Sequence, residues 1–181
     1  MVTRDALQVF EEFIARPENV DKLFEFVNGE IIEVSPGRTR HSEIGHLLAV
    51  AVHVFCRQRG LSCHTSGGDG AYRIQGHVLA PDFAYKRTPM SETYPDPDAP
   101  EWVVEIISPA DKAADIREKR QIYRQAGILL WEIYPQSQSV DVYAPGQPLR
   151  VVETDGSLDG GAVLPGFVLP LRDLFDPPGA G

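Results

Sequence analysis

The sequence predicts an α/β fold, a mixed central sheet flanked by helices and extended by additional β-hairpins. Three observations point there. Strand-type runs occur before, between and after two long helical stretches. One run, WVVEIIS, is almost continuously apolar, as in strands covered on both faces. Asn28-Gly29 separates two further β-type runs and is a strong short-range hairpin signal.

Taken in order, residues 3–15 place Leu7, Phe10 and Ile14 at helical spacing, with Thr3 as the expected N-cap. KLFEFVNGEIIEVS reads as two strands joined at Asn28-Gly29. Residues 41–59 predict the first long helix: Ile44, Leu48, Ala51 and Phe55 form one apolar stripe, and Gly60 ends it. LSCHTS, AYRI, HVLA and DFAYK follow as short strands, with Gly67-Gly68-Asp69-Gly70 as loop. PMSETYPDPDAP, rich in proline and acid, is also loop.

WVVEIIS then leads into a second helix predicted over 108–127, with Ser108 and Asp111 as a capping-box-like start and Gly127 as C-cap. LLWEIYP and SVDVYAP are strands, and the tail from LRVVETDG to LPLRDLF adds more strand and an end-piece. Trp102 and Trp131 read as core or edge aromatics. The length of 181 residues predicts a single domain over 1–181.

Bulk properties narrow the class. A hydrophobic fraction of 43% suffices for one core. Cys56 and Cys63 match no disulfide framework or metal spacing, which predicts a reduced, cytoplasmic protein. The start, MVTRDALQVFEEF, lacks the basic and apolar regions of a signal peptide, and no apolar run is long enough to span a membrane. The formal charge of −9 argues against broad, non-specific DNA affinity. Local basic stretches, Arg38 with Arg40 and Arg117, Lys119, Arg120 with Arg124, are where a polyanion would be met.

Glu105 is the first candidate functional residue. It lies among Trp102, Val103, Val104, Ile106 and Ile107, where a carboxylate faces a large desolvation cost unless a cation or donor compensates it. Asp82 follows Pro81 at the head of another strand. Two carboxylates on neighbouring strands make a hard oxygen site suited to magnesium or manganese. Lys119 shares a helical face with Ile116, Tyr123 and Ala126, so its amine either points toward the protein and needs a partner or snorkels over apolar surface, while Arg117, Glu118 and Arg120 fall elsewhere and can stay solvated. His41 opens the first long helix on its apolar stripe, and Glu30 directly follows the hairpin glycine. No phosphate-cradling loop, GxSxG elbow, CxxC or HExxH is present.

These stretches together resemble the Uma-two family of restriction endonucleases, within the PD-(D/E)XK nuclease superfamily. FEFVNGEIIEVSPGRTRH resembles the family's opening hairpin and following histidine, and PDFAY its Pro-Asp strand. EWVVEIISPADKAADIREKRQIYRQAGI resembles its most characteristic block, and LLWEIYPQSQSVDVY and LPGFVLPLRDLF further pieces. The resemblance implies a restriction-endonuclease-like fold and a magnesium- or manganese-dependent endonuclease acting on DNA, with a homodimer expected for duplex cleavage. It implies Asp82 and Glu105 as metal ligands with the Ile106 carbonyl, Lys119 as the catalytic lysine, and Glu30 and His41 as members of the same pocket. The chain departs from the superfamily signature at Ile107, where the basic pattern has lysine; Lys119 on the helix fits a displaced lysine.

Two other readings compete. One is a catalytically degenerate nuclease-fold module that binds nucleic acid or a protein partner. The other is a glycoside hydrolase using the two carboxylates as acid and base, which needs neither metal nor Lys119.

Overall fold

A computed structural model of the chain describes residues 4–34 and 37–176. Its first helix, α1 (Arg4–Ile14), buries Phe10 against the opening hairpin; the expected Thr3 cap lies outside the described residues. Strands β1 (Phe24–Val27) and β2 (Glu30–Glu33) pair antiparallel as expected. Their turn places Asn28 at φ 48° and Gly29 at φ 93°, positive at both central positions as a primed hairpin turn requires. Gly29→Ala is expected to cost about 1–2 kcal/mol in equilibrium unfolding, because a Cβ is strained at positive φ; an unchanged denaturation midpoint would contradict this account of the turn.

Helix α2 (Thr39–Arg59) starts two residues earlier than its apolar stripe suggests, and Gly60 closes it in the left-handed conformation. It buries Ile44, Leu48, Val52 and Cys56 against the main sheet. Strands β3 (His64–Gly67), β4 (Tyr72–Ile74), β5 (His77–Leu79) and β6 (Phe83–Lys86) follow. Gly67, expected in a loop, instead ends β3 because it pairs with Phe83.

The central strand β7 (Trp102–Ile106) leads through a crossover to α3 (Ala113–Gln125) and the parallel strand β8 (Leu129–Tyr134). Helix α3 begins five residues later than position 108. The Ser108 amide donates to Asp111 Oδ2 at 2.7 Å and the Asp111 amide to the Ser108 carbonyl at 3.1 Å, so this turn closes on itself. Lys112 is extended, at φ −76° and ψ 129°, and separates the turn from the helix. Strands β9 (Ser139–Tyr143), β10 (Arg150–Val152), β11 (Ser157–Gly160) and β12 (Leu164–Pro170) and a short helix α4 (Arg172–Phe175) complete the chain.

The main sheet has six strands in the order β10-β9-β8-β7-β6-β3, mixed because only β7 and β8 run parallel. A four-stranded sheet, β2-β1-β5-β4, stands beside it, and β11 pairs with β12 separately. Side chains alternate across β7: Trp102, Val104 and Ile106 enter the core shared with α2, whereas Val103 enters the core shared with α3. Trp102 and Trp131 are fully buried with ring centroids 4.3 Å apart, so both are core residues. Cys56 and Cys63 are free thiols. Among the described residues, no helix is long and apolar enough to cross a membrane.

Candidate active site

The alternation along β7 that sends Val103 toward α3 sends Glu105 the same way. Strand β6 runs antiparallel beside it with Phe83 opposite Val104, so the register continued by one residue sets Asp82 opposite Glu105. Opposed Cβ atoms on one sheet face lie about 4.5–5.5 Å apart, and the amide of Ile106, next along β7, donates to Asp82 Oδ2 at 2.7 Å.

Helix α3 supplies the opposite wall. The Lys119 ammonium donates to Glu25 Oε1 at 2.7 Å and lies 4.0 Å from Glu105 Oε1. Four residues along the helix, the Tyr123 hydroxyl donates to Glu105 Oε1 at 2.7 Å. The face bearing Ile116, Lys119 and Tyr123 does turn inward, but it is not simply apolar, because the Tyr123 ring is fully buried while its hydroxyl serves the carboxylate.

Glu25 was not singled out by sequence. It comes from β1 of the smaller sheet and is only 4% exposed. Besides Lys119, it accepts the Ala80 amide at 2.9 Å, so both partners fix one oxygen. The available signal was weak: in FEFV a glutamate between phenylalanines reads as the solvated half of an alternating strand, yet all four residues are buried.

Glu132 is a second unanticipated acid. Parallel pairing sets it beside Glu105, and it is 1% exposed. Arg120 donates to both its oxygens, at 2.8 and 2.6 Å, and Tyr134 donates to it at 2.9 Å. Arg120 is therefore not a solvated side chain, contrary to expectation; a buried carboxylate on the neighbouring strand draws it in.

Asp82, Glu105, Lys119, Glu25 and Glu132 line one cleft of about 550 Å³. His41 at the start of α2 and Glu30 on β2 line it too, Glu30 as an exposed residue at its edge. Charges in the cleft are strongly coupled. Burial pushes the Glu105 carboxyl up to about 8, against the opposing pull of the Lys119 ammonium. Burial also raises Asp82, partly offset by the hydrogen bond from Ile106. Burial disfavours the Lys119 ammonium, but the Glu105 and Glu25 carboxylates outweigh it and hold the amine above its ordinary value. A carboxylate so close to neutrality at pH 7 is one that a cation would return to its charged form.

Among the described residues, no group of three or more His, Cys, Asp or Glu side chains is arranged to hold a metal ion. Asp82 and Glu105 form a two-carboxylate set. Two carboxylates match what magnesium takes from a protein, since it keeps several of its own waters and binds through one or two carboxylates.

This architecture is that of a nuclease fold. Among solved structures, the chain is similar to one from Anabaena variabilis ATCC 29413 described as "a putative nuclease belonging to DUF820", with a TM-score of 0.77 over 91% of this chain and 96% of that one, at 24% identity. The model of the Uma2 family, described as "Putative restriction endonuclease", matches residues 10–172, and the chain belongs to that family. None of the curated proteins compared with it matches.

Proposed function

We propose that this protein is a divalent-cation-dependent endonuclease that hydrolyses phosphodiester bonds in DNA, acting in the cytoplasm as a homodimer. The observation that carries this reading is the convergence of Asp82 at the head of β6, Glu105 on β7 and Lys119 on α3 on one cleft. Asp82 and Glu105 would hold magnesium or manganese, with the Ile106 carbonyl as a further oxygen. When bound, the cation would polarise the phosphodiester and lower the pKa of a coordinated water.

The remaining roles belong to the chain's own groups. Lys119, held at 2.7 Å by Glu25, directs an ammonium at the place where charge grows on the phosphate or where the attacking water stands. Tyr123 fixes the rotamer of Glu105 through its 2.7 Å hydrogen bond. His41 positions water or a phosphate oxygen, and Glu30 supports His41 or a second ion. The expected product carries a 5′-phosphate.

The test is cleavage of plasmid and of single-stranded DNA with magnesium or manganese, comparing wild type with Asp82→Ala and Lys119→Ala. The wild type should cut, and each variant should be slower by on the order of a hundredfold or more. Equal rates in all three proteins, or no cleavage by the wild type, would end this reading. Cleavage that survives a chelator would remove the cation from it.

A further inference from the structure

Helix α3 turns Lys119 into the cleft and buries Tyr123 against Glu105, but its other side builds a second, separate feature. Arg117, Arg120 and Arg124 recur at helical spacing and, with Gln121, line a groove of about 620 Å³ against the end of β9 and the turn after it. The lining holds three arginines and no aspartate or glutamate, in a chain whose formal charge is −9. Just outside the lining, Asp141 accepts the Tyr143 hydroxyl at 3.4 Å.

The three guanidiniums are not equivalent. Arg120 is committed to Glu132, at 2.6 and 2.8 Å. Arg124 lies over the Tyr143 ring, 5.7 Å from its centroid, with Arg120 at 5.0 Å over the same ring. Among the described residues, only Arg120 of the three is in an ion pair. Arg117 and Arg124 are exposed, and the ring beneath Arg124 limits where its charge can go. Seven residues apart, they stand about 10 Å from each other along the helix axis. One strand of duplex DNA presents roughly three phosphates over that length.

We propose that this groove is a docking track for the phosphate backbone of DNA, holding a strand beside the cleft while Arg117 and Arg124 neutralise its phosphates. The inference rests on the endonuclease reading for the identity of the polyanion; the groove itself shows only the charge. One ion pair joins the two features, since Glu132 lines the cleft and its partner Arg120 lines the groove. A bound strand would therefore lie within about one helix diameter, 10–12 Å, of the cleft. The track also explains how an acidic protein can meet a polyanion: the contact is confined to one strip.

The test is binding of a short fluorescent DNA duplex by anisotropy, in chelator so that nothing is cut, across a salt series. The proteins are the wild type, Arg117→Gln with Arg124→Gln, and Arg57→Gln, which removes an exposed arginine of α2 outside both features. Arg120 is left intact because Glu132 needs it. The double variant should bind on the order of tenfold or more weakly at 0.1 M salt, and its log–log salt slope should be shallower by about 2. Arg57→Gln should match the wild type.

Equal affinity and slope in wild type and double variant would overturn the docking track, and it would do so alone if the wild type still cuts plasmid. Displacement of the duplex by inorganic phosphate at matched ionic strength would also overturn it, because the groove would then be a small-anion site. A wild type that neither binds nor cuts would remove both readings.

Discussion

Glu105→Gln should abolish plasmid cleavage and, in the same protein, remove a pH dependence from the stability of the cation-free state. The Glu105 carboxyl is held near pH 8 in the fold by burial, against an ordinary value of 4.5. A folded-state pKa above the unfolded one means that the native state binds the proton more tightly. This contribution is complete below about pH 4.5 and is lost as pH rises toward 8. Over that window the wild type should lose up to about 1.4 kcal/mol of stability per pH unit from this group. Glutamine keeps the shape and can still accept from Tyr123, but it has no proton to release, so the variant should lack this slope.

Magnesium should act in the opposite sense. It competes with the proton at Glu105, so its stabilisation of the wild type should grow as pH rises toward 8, by mass action on the folded state. The variant should gain little from it. Thermal melts from pH 5 to 9, with chelator and with magnesium, separate the outcomes. Parallel curves for wild type and Glu105→Gln would mean that this carboxyl is neither buried in function nor the seat of the cation.

The second large effect lies outside the cleft's chemistry. Arg120→Met should destabilise the protein by about 3–5 kcal/mol, because it strands a buried carboxylate. Glu132 is 1% exposed and would keep only a hydrogen bond from the Tyr134 hydroxyl, with no cation to offset its charge. Replacing both residues, Arg120→Met with Glu132→Gln, should recover most of the loss, since the charge that needed pairing is gone. Urea denaturation of the single and double variants reads this directly. A single variant as stable as wild type would show that Glu132 does not depend on its arginine.

Much of this was legible in the chain, and the exceptions share a cause. The hairpin at Asn28-Gly29, the stripe of α2 and the buried run of β7 are local signals, and local signals survive folding. Glu105 and Lys119 could be singled out because a carboxylate in an apolar strand and an amine on an inward helical face each demand a partner, and Asp82 as the acid heading a neighbouring strand that could share an ion with Glu105. The same argument applied to LLWEIYP would have found Glu132, whose setting in the sequence parallels that of Glu105. Glu25 was harder. Its partners, Lys119 on α3 and the Ala80 amide, come from far along the chain, to a strand whose pattern looks half-exposed. The late start of α3 was hidden for another reason: Ser108 and Asp111 are good capping residues that spend their hydrogen bonds on each other.

The position of Glu25 has a last consequence. In the proposed site, Glu105 rides on the large sheet with Asp82 at the head of β6, the amine rides on the crossover helix, and the group that steadies the amine belongs to the small sheet. Competence is thus a property of how these layers are stacked and not of any single one. A lesion that loosened the opening hairpin would let the ammonium drift while the main body stayed folded, so chemistry would fail before the structure did.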